Sequence, residues 1–453
     1  MLIRFIIENF KSYEKETTFE MVASGKYKTH IDHVVKNGPV DILKHGVIFG
    51  PNASGKSKLI DAFFFFKDCL LQGSDMLDTT DLFCKNREEN RNRNTSFEIQ
   101  LSIGDAFYAY GFSIIMDTSK ITEEWLFELG KTGTRKAVFT RDEMGVVNYV
   151  PLRTLPLAER TRFSVYQSDF EGNTHRLFLS EMNRDKKIEP TSRLFQFVTV
   201  FDHLVDNIIV VNPNTTVTNF QRYYDEATLE HVNDLLQTFD TGISKIVVEE
   251  TSLDEIKRRL PSFLFDELMK DMKERIAQKR GKDLRFSMRI ERDFFNIYED
   301  SNANLKVSTL RTEHRTSTLQ FRFAEESDGT QRLFELLDIL LMDSDEALFV
   351  IDELDRSLHP MLTWRFLKQF NERNLNSRRQ LVFTTHEPYI MDQRLYRLDE
   401  IWFVEKDKDD SSIIYSLDRF KERTDKVINK TYLEGRYGAV PILSQLDNGY
   451  EPS

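Results

Sequence analysis

The stretch GVIFGPNASGKSKLI, residues 46 to 60, leaves this chain few ways to fold. Val47, Ile48 and Phe49 predict a short buried strand, Gly50 to Gly55 a loop, and a helix starts near Lys56. The G-x-x-x-x-G-K-[ST] pattern binds phosphate only in that setting of strand, loop and helix. A loop built from Gly50, Pro51, Asn52, Ala53, Ser54 and Gly55 turns backbone N–H groups inward, and the helix N-terminus adds its positive dipole end. Lys56 and Ser57 then reach the phosphates and Mg²⁺. Four matching positions also arise by chance, but the apolar strand before them and Leu59, Ile60, Phe63 and Phe64 after them favour a nucleotide site.

A phosphate cradle needs a second half, because phosphoryl transfer also requires a held Mg²⁺ and a positioned water. Leu348, Phe349, Val350 and Ile351 lead directly into Asp352 and Glu353. Four apolar residues in a row suit a strand buried on both faces of a parallel sheet, and its C-terminal end is where such sheets bind ligands. Asp352 is placed to hold Mg²⁺ through water, Glu353 to orient or deprotonate the attacking water. The following LDRSLHP enters a helix with Pro360 in its first turn, where proline is tolerated. A further strand from Gln380 to Thr385 ends at His386, so one βαβ unit brings Glu353 and His386 to the same sheet edge. There the histidine can contact the γ-phosphate. EESDGTQRLFELLDILL, residues 325 to 341, adds a helix with Ser327 as N-cap and Gly329 allowing close backbone approach. It reads as a second phosphate-directed helix start, one that would complete a site on another subunit.

Composition excludes several classes. Two cysteines, Cys69 and Cys84, make no disulfide framework or metal pattern, which fits a reducing cytosol. No run approaches the ~18 apolar residues of a membrane span, and MLIRFIIENFKSYEKE is expected to be a strand and not an export signal. The expected location is cytoplasmic. A formal net charge of −12 argues against coating nucleic acid over the whole surface. The densest basic stretch, residues 270 to 292, carries Lys270, Lys273, Arg275, Lys279, Arg280, Lys282, Arg285, Arg289 and Arg292. Asp271, Glu274, Asp283 and Glu291 interrupt it, so a solvated helix face is favoured over a phosphate-tracking arm.

The expected class is α/β: a P-loop NTPase with a mixed β lobe, a parallel-sheet core and an inserted helical subdomain. Residues 1–150, rich in strand-like runs, form an N-terminal ATPase lobe. Residues 151–300 carry helical spacing (Leu229, Val232, Leu235, Leu236, Phe239; then Leu264, Leu268, Met272) and read as a mainly helical insertion that offers a partner or trigger surface. Residues 301–453 form a C-terminal ATPase lobe.

Together, Asn9-Phe10-Lys11-Ser12, GPNASGKS, ESDGT, LFVIDELD and TTHEP resemble the ABC-type ATPase heads of the SMC and RecF group. With YLEGRYGAVPIL at 432 to 443, the chain is more closely similar to the AbiL/RloA-type ATPases associated with bacterial phage resistance. The resemblance implies ATP and Mg²⁺ as cofactors, Lys56 and Ser57 as phosphate and Mg²⁺ ligands, Asp352 as the Mg²⁺ carboxylate and Glu353 as catalytic base. It makes Asp355 part of the loop crossing a dimer interface, His386 the γ-phosphate switch, and Lys11 a nucleotide-site residue. Ser327 and Gly329 become the signature that contacts ATP held by a partner copy, so a homodimer, or a higher oligomer of it, sandwiches two ATPs. S-D-G-T in place of S-G-G-Q argues against transport, and the lack of a heptad coiled coil excludes a chromosome-spanning arm. Gln100 is the candidate for the Mg²⁺-sensing glutamine.

The leading expectation is an ATP-hydrolysing homodimeric switch in anti-phage defence, acting through a separate nuclease or toxin, with DNA or a phage product as trigger. The stretch after His386 is expected to be too short for a fused nuclease domain of typical size. Two alternatives stay open: a RecF-like clamp closing on DNA, and a nucleotide-dependent scaffold with little turnover.

Overall fold

A computed structural model describes residues 1–131, 133–212, 223–278, 285–300, 304–420 and 427–441. The chain forms two compact units: residues 1–215, 344–355 and 370–453 make the first, residues 216–343 and 356–369 the second.

Two sheets organise the first unit. One has six strands in the order Ile208–Val211, Leu348–Ile351, Gln380–Thr384, His45–Phe49, Ile401–Lys406 and Ser412–Ser416. The first five run parallel and the last antiparallel. His45–Phe49, Leu348–Ile351 and Gln380–Thr384 are buried at every position, as strands covered on both faces must be. The other sheet, of seven antiparallel strands, carries Leu2–Glu8 and four long hairpin-linked strands between Asn94 and Arg141.

The Lys56–Gln72 helix ties the two sheets together. Its buried face, Leu59, Ile60, Phe63, Phe66 and Leu70, joins the core of the antiparallel sheet, and Phe63 stacks on Phe5 with ring centroids 3.9 Å apart. Each such phenylalanine contributes about 1.5–3 kcal/mol by leaving water, which anchors the helix that starts the phosphate loop.

The second unit has its own five-stranded sheet, ordered Ile243–Thr251, Leu305–His314, Asp293–Glu299 and Arg285–Ile290, with Gln320–Arg322 also paired to Leu305–His314. The Glu226–Gln237, Ser262–Gln278 and Asp328–Leu341 helices belong to this unit.

The expected mainly helical insertion at 151–300 is corrected in two ways. Helices at Leu157–Phe170, Phe178–Asn183 and Phe195–Asp206 belong to the first unit, because Phe163, Phe178 and Phe197 cluster with Phe139 and Tyr149 of its antiparallel sheet. Residues 243 to 299 supply three strands of the second sheet. In Ile243–Thr251 only Ile243 and Ile246 are fully buried, which leaves too little apolar alternation for the strand to announce itself. Of the basic stretch, Lys270 is exposed, Arg289 pairs with Glu335 at 3.1 Å and Arg292 with Asp328 at 2.7 Å. The side chains of Lys273, Arg275, Lys279, Arg280, Lys282 and Arg285 lie outside the described residues.

Candidate functional site

The phosphate loop leaves the C-terminal end of the central His45–Phe49 strand. Ala53 takes a left-handed backbone (φ 61°), and Gly55, at φ 116°, caps the Lys56–Gln72 helix. A Cβ on Gly55 would run into Ser412 and lie 2.9 Å from the Ser12 hydroxyl, so glycine is required there by both conformation and space. Ser412 donates to the Ser54 carbonyl at 2.5 Å and is hydrogen-bonded to the Ser12 hydroxyl at 2.8 Å, and Tyr13 donates to the Gly55 carbonyl at 3.0 Å. The loop is thus braced from behind by the N-terminal turn and by the last strand of the sheet.

Lys56 is buried and folds back over the loop, donating to the carbonyls of Gly50 (2.7 Å) and Pro51 (3.0 Å). Burial pulls its amine down to about 8, against the opposing influence of Asp352, Glu353 and Asp355. At pH 7 it is still mostly an ammonium. An ammonium resting on its own loop's carbonyls is ready to be drawn onto phosphate oxygens. The Ser54 hydroxyl is buried with no partner, and Ser57 follows Lys56 in the first turn. These groups fit a nucleotide phosphate.

The acidic half comes from the neighbouring strands. Leu348–Ile351 delivers Asp352 and Glu353, and Gln380–Thr384 delivers His386 beside them. Thr384 joins the two: its hydroxyl donates to Asp352 Oδ1 at 2.6 Å and accepts the Glu353 N–H at 2.8 Å. Glu353 has φ 47°, a left-handed backbone rare outside glycine, and strain of that kind gathers at working sites. Its carboxylate lies 3.9 Å from His386 Nε2, and both side chains are partly exposed. Burial, with Lys56 acting in the same direction, holds the His386 imidazole below its ordinary range, so it is neutral at pH 7. Asp355 Oδ1 is buried without a hydrogen-bond partner.

In the second unit, Ser327 caps the Asp328–Leu341 helix, its hydroxyl accepting the Thr330 N–H at 3.1 Å. Ser327 and Asp328 are exposed. A Cβ on Gly329 would sit 2.7 Å from the Ser357 carbonyl, which explains the glycine.

Sequence-expected residues therefore group as follows. Gly50 to Ser57, Asp352, Glu353, Asp355 and His386 meet at one edge of the parallel sheet, while Ser327 and Gly329 form an exposed helix start in the other unit. Lys11 pairs with Asp61 of the phosphate-loop helix at 2.6 Å, so its ammonium is already balanced by a carboxylate. Gln100 is corrected. It lies in the antiparallel sheet, bonded to Glu98 at 2.8 Å and opposite Arg4 of the Leu2–Glu8 strand, whose Leu2 N–H donates to Gln380 at the start of its strand. That is the edge of the parallel sheet opposite His386. The Ile208–Val211 strand ends at Asn212 beside Asp352, whose N–H donates to the Val211 carbonyl at 2.9 Å. Asn212 and Thr384 are the site-edge residues that sequence reasoning passed over. The IIVV run followed by Asn212 was the available signal for the first. TTHEP held the second.

Fold and site together define a P-loop nucleotide-binding protein with its acidic and histidine elements on adjacent parallel strands. The family described as "AAA domain, putative AbiEii toxin, Type IV TA system" matches residues 166–392, half of the chain, and the chain belongs to that family. The match takes in Ser327, Asp352, Glu353 and His386, and it begins beyond the phosphate loop. Among solved structures, the chain is similar to the Smc head domain with an extended coiled coil bound to the C-terminal domain of ScpA, derived from Pyrococcus furiosus. Identity there is 13%, with 96% of this chain and 99% of that one covered, at a TM-score of 0.40. The Smc head domain with a coiled coil and joint from Pyrococcus yayanosii gives 12%, 96%, 99% and 0.40, and the SMC head domain from Thermotoga maritima 13%, 92%, 98% and 0.34. No curated protein is significantly similar in sequence. No helix among the described residues is long and apolar enough to cross a membrane.

Proposed function

We propose that this protein is an ATP-hydrolysing switch that closes into a homodimer around two nucleotides and passes that state to a separate effector, a nuclease or toxin, in cytoplasmic defence against phage. The observation that supports it most is the convergence of Lys56, Asp352, Glu353 and His386 on one sheet edge, with Glu353 held in a strained backbone by the Thr384 hydroxyl. Lys56 leaves the Gly50 and Pro51 carbonyls for phosphate oxygens, and the backbone N–H groups of Asn52 to Ser57 complete the cradle. Ser57 and Asp352 hold Mg²⁺, which when bound neutralises phosphate charge. Glu353 orients a water and accepts its proton. His386, neutral at pH 7, donates toward the γ-phosphate side and registers its loss. Ser327, exposed at a helix N-terminus, and Gly329 beside it complete the site of the partner copy, and Asp355 lies in the loop between copies. The second unit, with its own sheet, is the surface for the effector or trigger.

Glu353→Gln preserves ATP binding and removes the base. Used as bait in the native host with ATP and Mg²⁺, it should retain a stoichiometric nuclease or toxin that wild type releases. Retention of DNA with no protein would instead support a DNA clamp.

A further inference from the structure

The parallel sheet carries a second constellation at the edge opposite the phosphate loop. His45 opens the central strand, and Glu400 immediately precedes Ile401 of the neighbouring strand, which pairs with Val47. His33 ends a short turn, Ile31–His33, laid against both. All three are almost completely buried: 1% exposed for His45, 0% for Glu400 and 3% for His33. One donor atom from each lies within 4.8 Å of the other two. His33 Nδ1 is 3.0 Å from Glu400 Oε2 and 3.1 Å from Oε1, and the His33 and His45 ring centroids are 4.5 Å apart.

Two features mark this as more than an ion pair in a core. His45 Nδ1 and the hydroxyl of Tyr396, whose ring packs edge-on against His45, are both buried with no hydrogen-bond partner. Buried polar atoms are normally satisfied, so orphans beside a carboxylate and a second imidazole point to a missing partner. A second triple, His30, Asp32 and His33, shares His33 and steps outward, with Asp32 exposed and His30 partly so. His30 sits in a left-handed backbone (φ 44°). Ligand residues thus run from solvent into the core, giving an ion a way in.

We propose that His33, His45 and Glu400 bind a divalent transition-metal ion, zinc by preference, in a structural site separate from the nucleotide. Two imidazoles and a carboxylate are a borderline-soft N₂O set that suits Zn²⁺. Donors of a tetrahedral zinc stand about 3.3 Å apart, so side-chain adjustment of an ångström or so draws the three together. Binding takes the imidazole nitrogens as neutral ligands and releases a proton from the His33 and Glu400 pair to solvent. Lys44, also buried, donates instead to the carbonyls of Asn374 and Leu375. Along a five-residue strand the site lies roughly 15 Å from the phosphate loop. It joins the start of two parallel strands to the 30–33 turn, so its effect is to stiffen the base of the nucleotide-binding sheet.

The test is metal uptake by the untagged, chelator-treated full-length protein, titrated with Zn²⁺ or Co²⁺ without nucleotide, in wild type and in Asp352→Asn, which disables the Mg²⁺ carboxylate. The expected result is about one equivalent bound in both, a visible Co²⁺ absorption band typical of tetrahedral nitrogen and oxygen ligation, and a melting temperature raised by several degrees. His45→Ala and Glu400→Gln should each lower the affinity at least tenfold. Anomalous scattering at the zinc edge from wild-type crystals locates the ion without relying on a variant that fails to fold. Less than a tenth of an equivalent taken up, an ion lost in Asp352→Asn, or an anomalous peak elsewhere overturns the proposal and leaves His33 and Glu400 as a hydrogen-bonded pair.

Discussion

Replacing Thr384 with valine keeps the side-chain shape and removes one hydroxyl, and the consequences can be worked from the hydrogen bonds it makes. Thr384 is fully buried, donates to Asp352 Oδ1 at 2.6 Å and accepts the Glu353 N–H at 2.8 Å. A hydrogen bond to a charged acceptor is worth about 1.5–3 kcal/mol. If that energy holds Asp352 in its Mg²⁺-binding position, its loss lowers kcat/KM by about 10- to 150-fold. Loss of the bond from the Glu353 N–H adds about 0.5–1.5 kcal/mol of destabilisation, concentrated on a backbone already at φ 47°. The assay is phosphate release at several Mg²⁺ concentrations, with a fluorescent ATP analogue measuring binding in the absence of Mg²⁺. Valine should depress turnover most at low Mg²⁺ and leave Mg²⁺-free binding within about twofold, and Thr384→Ser should restore most of the rate. Valine activity within twofold of wild type at limiting Mg²⁺, or serine no better than valine, refutes the positioning argument.

Other consequences are simpler to state. Gly55→Ala, forced into φ 116° and against Ser412, should destabilise the loop by about 1–3 kcal/mol and abolish ATP binding by calorimetry; retained binding would mean the loop has another conformation. With the Lys56 amine at about 8 before nucleotide arrives, and its protonated form the one that binds anions, ATP affinity should be flat below pH 8. Above that it should fall by up to tenfold per pH unit, and a flat profile from pH 7 to 9.5 counts against the assignment. Ser327→Ala removes the cap and costs about 1 kcal/mol. Amides of the first turn of Asp328–Leu341 should then exchange roughly fivefold faster, and unchanged exchange would deny the cap. Gly329→Ala, with its Cβ 2.7 Å from the Ser357 carbonyl, should destabilise the second unit by about 1–2 kcal/mol, and a gain in urea resistance would contradict it.

What could be read from the sequence was local. Strand, loop and helix around Lys56, the apolar run into Asp352 and Glu353, and Pro360 as the first residue of its helix all depend on neighbours a few residues away. The runs LIRFII, TTFEM, GVIFG, SFEIQLSI and AFYAYGFSII were legible for the same reason, as short apolar clusters or alternations, whereas the Val34–Asn37 and Val40–Leu43 strands were not. Residues 243 to 299 were not, because half-exposed strands such as Ile243–Thr251 owe their state to pairing with Leu305–His314 and not to their own pattern. Gln100 was misplaced because register across strands distant in sequence decides which sheet edge a side chain reaches. The same holds for the Lys11 pair with Asp61 and for His33, His45 and Glu400, which lie far apart in the chain and meet only through strand order. YLEGRYGAVPIL could be noticed but not interpreted: Tyr432 stacks on Phe403 at 5.5 Å and the Ala439 N–H donates to Glu405 at 2.8 Å, so the described part seals one edge of the nucleotide-binding sheet. Ile442 and Leu443 of that motif lie outside the described residues.

The central claim, that nucleotide closes two copies together, is tested most directly by the solution mass of Glu353→Gln by light scattering, with ATP and Mg²⁺ or with ADP. The account predicts a shift from the 53.4 kDa of one chain to twice that mass with ATP, reversal with ADP, and loss of the shift when Ser327→Arg is added. A mass that stays at one chain under saturating ATP, or a dimer indifferent to both nucleotide and Ser327, would contradict it.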